Sequence, residues 1–211
     1  MSEGGDALPS WLAMARELQA MAQTGSTYAT DPYDISRYHR LAEIASDMMS
    51  RGSGIPSAVV ADLLGREAGH PTPKVDVRAA VFRDQEILLV RERGDGLWTL
   101  PGGWADVGES PSAAAARETL EESGYRIRIL RLLAVYDRDR HPHPPLAYHA
   151  YKLFFEGDVA GGEPASSDET DAADFFAVEA LPPLSTMRVT ESQIARLFRL
   201  HRDPCAPADF D

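Results

Sequence analysis

The sequence predicts an α/β domain, a mixed sheet flanked by helices, preceded by an N-terminal helical bundle. Three observations predict it. The first 70 or so residues carry apolar side chains at helical spacing. After Pro73 the chain switches to short apolar and β-branched runs separated by turn residues. One strongly capped helix, Pro111 to Ser123, interrupts those runs. The boundaries that follow are 1–69 for the helical extension, 70–74 for a linker and 75–211 for the α/β domain.

Ser10 is placed to cap a first helix through Trp11, Leu12, Met14, Ala15, Leu18 and Met21, and the turn Gln23-Thr24-Gly25-Ser26 is expected to end it. A second helix starts near Asp34, carries Ile35, Tyr38, Leu41, Ile44, Ala45 and Met48, and stops at Arg51-Gly52-Ser53-Gly54. A third runs from Ser57 to Leu64. These apolar faces are too many for an isolated helix pair to bury, so they must pack on the following domain or on a second copy. Gly69, Pro71 and Pro73 then punctuate the chain. Strands are expected over Val75–Phe82, Ile87–Val90, Ile127–Tyr136, Ala147–Phe155 and Phe175–Val178. Asp84-Gln85 is a turn, and Gly94-Asp95-Gly96 leads into Leu97–Leu100. Asp137 to Pro145 and Gly157 to Ala172 read as loops. Thr190-Glu191-Ser192-Gln193 is a capping box opening a last helix through Ile194, Leu197 and Phe198.

Charge narrows the function. Lys and Arg total 21 against 33 Asp and Glu, a formal charge of -12. Such a surface repels bulk nucleic acid and anionic membrane, and an anionic small molecule would need a local cation. No apolar run reaches the roughly 18 residues of a membrane span. The acidic start, Met1 to Asp6, is not a signal or transit peptide. The single cysteine, Cys205, excludes an internal disulfide and has no evident histidine partner. A cytoplasmic location is expected.

The segment from Gly103 to Tyr125 carries the chemistry. Ser110 is an N-cap, Pro111 occupies the first helical position, and Gly124 supplies a left-handed C-terminal turn. At 100° per residue, Ala113, Ala116 and Leu120 share one face, with Glu118, Glu121 and Glu122 almost opposite. Arg117 lies beside the acidic face, one turn before Glu121. Three carboxylates within a turn repel each other and raise each other's proton affinity, which a divalent cation relieves. An all-oxygen donor set favours Mg²⁺ or Mn²⁺ over zinc. Paired glutamates on a helix are by themselves most often a solvated face, so the flanking pattern decides.

That pattern reads G-x5-E-x7-R-E-U-x-E-E-x-G-U, with U a bulky apolar residue. Gly103, Glu109, Arg117, Glu118, Glu121, Glu122 and Gly124 fill the fixed positions. Thr119 is a mild departure at the first U, and Tyr125 stands at the last. In this string the sequence resembles the Nudix hydrolases. Leu97 to Gly103 leads into it as in many family members. Tyr28 to Met49, with Tyr33, Asp34, Arg37 and Tyr38, resembles the N-terminal extension of one subgroup, and so do Glu169-Thr170, Phe175-Phe176 and Leu184 to Thr190.

The resemblance implies an α/β/α Nudix sandwich and a homodimer. It implies hydrolysis of the pyrophosphate in a nucleoside diphosphate linked to another moiety. ADP-ribose stands ahead of CDP-choline, then nucleoside triphosphates, then a non-catalytic ligand sensor. It implies Mg²⁺, with Mn²⁺ as substitute, on Glu118 and Glu122, with Glu121 direct or through water and the Gly103 carbonyl as a further ligand. Arg117 would orient the carboxylates and Glu109 would serve a structural or outer role. The general base would be Glu121 or Glu122, with Glu169 second.

Other residues are weaker signals. Trp104 either stacks on a base or sugar or caps the core. Arg138 and Arg140 are placed on a loop where they could meet a distal phosphate. Arg188 either binds substrate or ties down the N-terminal helices. His141-Pro142-His143 reads as a loop rather than a metal pair. Arg126 and Arg128 read as a strand's solvent face. Packing is the expected role of Tyr28, Tyr33 and Tyr38.

Overall fold

A computed structural model describes residues 8–211, so the acidic start read above lies outside the described residues. The described chain forms two units. One is the chain up to Pro73 together with Pro145–His149; the other is Lys74–Pro144 with Ala150–Asp211. No helix among the described residues is long and apolar enough to cross a membrane.

The first unit holds α1 (Ser10–Tyr28), α2 (Pro32–Ser53) and α3 (Ser57–Gly65). Helix α1 runs straight through the turn expected at Gln23–Ser26. Gly25 does not end it because it is a contact residue: a Cβ there would lie 2.2 Å from the Tyr38 ring on α2. Gly52 does the same for Trp11, at 2.4 Å. The cap of α1 falls on Pro9, with no side-chain hydrogen bond, rather than on Ser10. Helix α2 begins two residues before Asp34, at Pro32. There the Asp31 carboxylate accepts from the Tyr33 and Asp34 amides at 2.8 and 3.2 Å. Gly54, at φ 76°, ends it as expected. Leu12, Ala15, Met49 and Val60 form the unit's core. Arg16 donates to the carbonyls of Leu146 and, at 3.1 Å, Tyr148, which draws Pro145–His149 into this unit. The strand expected from Ala147 therefore starts only at Ala150. Tyr38 packs as expected, whereas Tyr28 and Tyr33 are exposed.

The second unit holds β1 (Lys74–Arg83), β2 (Glu86–Glu92), β3 (Trp98–Thr99), α4 (Pro111–Ser123), β4 (Tyr125–Asp137), β5 (Ala150–Gly162), β6 (Thr170–Ala177), α5 (Glu191–Arg202) and β7 (Asp209–Phe210). The sheet order is β3-β2-β1-β5-β4-β7, with β6 also on β2. β1 runs parallel to β5 and β4 antiparallel to it, so the sheet is mixed. Strands β5 and β6 take both ends of the segment read as a loop from Gly157 to Ala172. Backbone pairing claims them despite their Gly- and acid-rich composition, because β4 offers β5 partners as far as Gly162 and β2 pairs β6 from Thr170. Arg126 and Arg128 are exposed, as alternation predicts.

Successive side chains on a strand point to opposite faces, and the two helices use this. Ala80 and Phe154 join Ile194, Leu197 and Phe198 of α5 in one cluster. Val77 and Phe155 pack with Ala114 and Ala115 of α4 in another. The capping box at Thr190 and Gln193 is formed in full.

Helix α4 turns a different face inward from the one its apolar residues suggest. Ala114, Ala115, Thr119, Glu122 and Ser123 are buried, whereas Ala113 and Leu120 are exposed. An alanine-rich helix gives apolarity little leverage over its own rotation. Close approach of the small Ala114 and Ala115 to the sheet decides it, and this carries Glu122 inward. Thr119 is tolerated at 0 % exposure because its hydroxyl bonds the Ala115 carbonyl at 2.7 Å.

Candidate active site

The site is built where α4 meets the turn Pro101–Trp104. That turn is laced onto β1: the Val77 amide donates to the Gly103 carbonyl at 2.8 Å, and the Ala79 amide to the Pro101 carbonyl at 2.9 Å. The approach needs glycine. Gly102 sits at φ 137°, and a Cβ on it would lie 2.0 Å from the Val77 carbonyl oxygen. Its amide, thus aimed, donates to Glu122 Oε2 at 2.8 Å. Gly103 leaves room for the second carboxylate, since a Cβ there would stand 3.2 Å from Glu118. Its carbonyl, the expected ligand, already accepts the Val77 hydrogen bond with one lone pair. We expect Gly102→Ala to lower stability by about 2 kcal/mol or more and to weaken the response of Tm to Mg²⁺. A urea melt and a metal titration check this; an unchanged melt would mean that the turn relaxes around the methyl.

Arg117 gathers the acids. It pairs with Glu109 at 3.0 Å, Glu118 at 2.9 Å and Glu121 at 2.8 Å, which raises its own pKa further. Glu121 stays largely exposed. Glu118 is mostly buried, and burial pushes its carboxyl up against the pull of Arg117. Glu122 is 4 % exposed. Burial raises it to about 7, opposed by Arg78 and by the Gly102 amide. Two desolvated carboxylates and a third at the rim, all oxygen donors, fit a hard divalent cation.

Glu169 is reached through its neighbour. The Thr170 hydroxyl bonds the carbonyl of Glu122, and the Arg93 amide bonds the Glu169 carbonyl at 2.8 Å. The Glu169 side chain stays exposed, and its charge is felt by Glu92.

Residues 72–198 match the NUDIX domain. The chain belongs to the Nudix family. Residues 9–64 match the UDP-X-like, N-terminal oligomerisation domain. A putative ADP-ribose pyrophosphatase of Bacillus subtilis (strain 168), YjhB, is 45% identical over 201 residues, covering 95% of this chain and 97% of its own. An ADP-ribose pyrophosphatase of Methanocaldococcus jannaschii is 35% identical over 120 residues, 55% of this chain and 68% of its own. Among solved structures, a UDP-X diphosphatase is 33% identical with a TM-score of 0.63, covering 95% of this chain and 98% of that one. A Streptococcus suis ADP-ribose pyrophosphatase is 38% identical with a TM-score of 0.62, covering 66% of this chain and 100% of that one.

In this Nudix hydrolase the three expected substrate residues part ways. Trp104 is 47 % exposed and joins none of the described core clusters, so it does not cap the core. Arg188 Nε forms an ion pair with Glu92 at 2.9 Å, and its Nη1 donates to Asp95 at 3.2 Å and to Ser185 at 3.0 Å. Those partners tie it to the end of β2 and the turn after it. Arg138 differs from expectation. It is 2 % exposed and bonds the Met187 carbonyl at 3.2 Å, so its guanidinium is spent inside the fold rather than held out to a phosphate. The two loop histidines separate as well. His141 meets Asp211 at 3.1 Å, while His143 lies between the Thr186 carbonyl at 2.7 Å and the Gln193 amide at 3.1 Å. Burial draws His143 down to about 4.

A buried charge network not expected from the sequence lies beside the glutamates: Asp76, Arg78, Glu92 and Lys152. Each is under 8 % exposed. Their signal was available, because Asp76 and Arg78 interrupt the strand run Val75–Phe82, and Lys152 opens the apolar run Leu153–Phe155.

Proposed function

We propose that this Nudix pyrophosphatase hydrolyses a nucleoside diphosphate linked to another moiety, with ADP-ribose first, to a nucleoside monophosphate and the phosphate of the second moiety. The observation that carries this is the convergence of Glu118 and Glu122 on the Gly102–Gly103 turn. The near full-length likeness to the putative ADP-ribose pyrophosphatase favours that substrate. A UDP-linked compound is the second reading, favoured by the likeness to a UDP-X diphosphatase across 95% of the chain. CDP-choline and nucleoside triphosphates follow.

Mg²⁺ is the proposed cofactor, with Mn²⁺ as substitute. Glu118 and Glu122 would hold it, Glu121 directly or through water, with the second lone pair of the Gly103 carbonyl. Such a cation neutralises pyrophosphate oxygens and acidifies water. Arg117 fixes Glu118 and Glu121 in place. Glu121 or Glu122 takes the proton of the attacking water, with Glu169 as the second candidate base. Trp104 offers an exposed face for a base or sugar, and Arg188 a guanidinium held at the end of β2.

The helical unit is proposed to dimerise the protein. Its match to an oligomerisation domain supports this, as do Met14, Met21, Ile55 and Val59, apolar side chains left exposed on it. The single cysteine, free and exposed, suits a cytoplasmic setting.

The test is a panel of ADP-ribose, a UDP-sugar, CDP-choline and nucleoside triphosphates with excess Mg²⁺, read by product identity. We expect ADP-ribose to yield AMP, with light scattering giving a dimer. Cleavage of triphosphates alone would overturn the substrate class.

A further inference from the structure

Strand β1 carries two charges into the interior. Asp76 and Arg78 share one face of it and are 6 % and 5 % exposed. One Asp76 oxygen accepts from Arg78 Nε at 2.8 Å, and the other from Lys152 Nζ on the neighbouring strand β5. Lys152 is fully buried. Asp76 is thus shared by two cations, and Arg78 is left to face further carboxylates. Buried ions seldom stabilise a fold better than apolar groups of the same shape, so folding alone gives little reason for them.

The geometry shows what Arg78 reaches. Its Nη1 donates to the Leu100 carbonyl at 3.0 Å, and Leu100 is itself fully buried. Leu100 opens the turn that binds Glu122. The turn is pinned to β1 on either side of Arg78, at Val77 and at Ala79. Gly102 lies directly over it, for a Cβ on Gly102 would stand 2.9 Å from Arg78 Cα. The Gly102 amide then holds Glu122. A continuous path runs from Lys152 through Asp76 and Arg78 to the Leu100 carbonyl, and along two residues of chain to Glu122. Arg78 also lies within the attraction of Glu122 and of Glu92, the buried carboxylate paired with Arg188.

We infer that Arg78 is a positioning residue for the proposed pyrophosphatase: it fixes the Leu100–Gly103 turn and so aims Glu122 at the cation. The inference rests on Glu122 being a metal ligand, as proposed above. Arginine is required because its planar fork serves Asp76 and Leu100 at once. A lysine ammonium keeps the charge but not that geometry.

The experiment compares Arg78→Lys and Arg78→Met with Glu122→Gln and the wild-type chain. Mn²⁺ affinity is read by paramagnetic resonance of the free ion, kcat and KM with ADP-ribose, and folding by circular dichroism. Both Arg78 variants are expected to bind Mn²⁺ roughly tenfold or more weakly. Their kcat should fall by roughly 10²-fold while KM moves less than about threefold, since substrate contacts are untouched. If Arg78→Met does not fold, Arg78→Lys decides. A folded Arg78→Lys with Mn²⁺ affinity within about twofold of wild type overturns the inference. So does a loss confined to KM. If Glu122→Gln weakens Mn²⁺ binding while the Arg78 variants do not, the bracing role fails alone. If Glu122→Gln also binds Mn²⁺ normally, the metal site itself is wrong.

Discussion

In metal-free buffer at pH 8, Glu122→Gln should melt several degrees above the wild-type protein, and with Mg²⁺ it should turn over ADP-ribose roughly 10²- to 10³-fold more slowly. The two effects share a cause. Burial raises the Glu122 pKa to about 7, against a reference value of 4.5. A raised carboxyl favours folding only while protonated. Its contribution is present in full below the reference value and is lost as pH rises through 7. The ionised side chain is therefore a net cost to the empty protein at pH 8, of up to about 3 kcal/mol. Glutamine keeps an acceptor for the Gly102 amide and removes the charge. In a chain of this size each kilocalorie moves Tm by about 2–4 °C. Added Mg²⁺ should raise the wild-type Tm by mass action and leave the variant nearly unmoved. Scanning calorimetry at pH 5 and pH 8, with and without metal, reads all of this. The gap between the proteins should be small at pH 5. Equal melting at pH 8 would show that Glu122 is not strained by its burial, and turnover near wild type would remove it from the site.

Asp76→Asn is expected to be the most destabilising single change, by about 3 kcal/mol at pH 6. Asp76 lies between two buried cations. Burial alone would raise its pKa, but Arg78 and Lys152 outweigh that and hold it low. Its stabilising contribution is thus present above the ordinary carboxylate range and is lost only as pH falls below it. With the charge removed, Lys152 is left buried without its anion, and Arg78 keeps only the attraction of Glu122 and Glu92. Lys152 is already drawn down to about 8 by burial, with Asp76 resisting. Without Asp76 it will titrate lower still. A lysine with a depressed pKa gives up its proton on folding, so stability rises with pH between its folded and unfolded values. That window opens earlier in the variant, and its deficit should narrow between pH 6 and pH 8. Urea melts at the two pH values test this. A loss below about 1 kcal/mol at pH 6, or a deficit that does not change with pH, would show that water reaches the network.

Both predictions fall on residues that sequence and structure expose unequally. Glu122 was legible because a fixed string of residue types, from Gly103 to Tyr125, is itself the signal. Arg117 was legible for the same reason. The caps of α4 at Ser110, Pro111 and Gly124 appear where chemistry places them, because capping is local. Glycine was a poorer guide. Gly25 looked like a helix stop and is instead a contact with Tyr38, which no neighbour in sequence announces. Arg138 looked like a phosphate arm on a loop and is enclosed, because the Met187 backbone folds over it from 49 residues away.

By itself the sequence determined the class of domain, the helix that bears the carboxylates and the all-oxygen donor chemistry they offer. These depend on spacing, capping and donor chemistry, all written within a few turns of chain. Tertiary structure decided which face of α4 is buried, that Gly102 holds Glu122, and that Lys152, Asp76 and Arg78 form one network. The Gly102–Glu122 contact joins residues 20 positions apart, and the Asp76–Lys152 contact residues 76 apart. Strand pairing and close packing bring such residues together, and neither leaves a periodic trace in the chain.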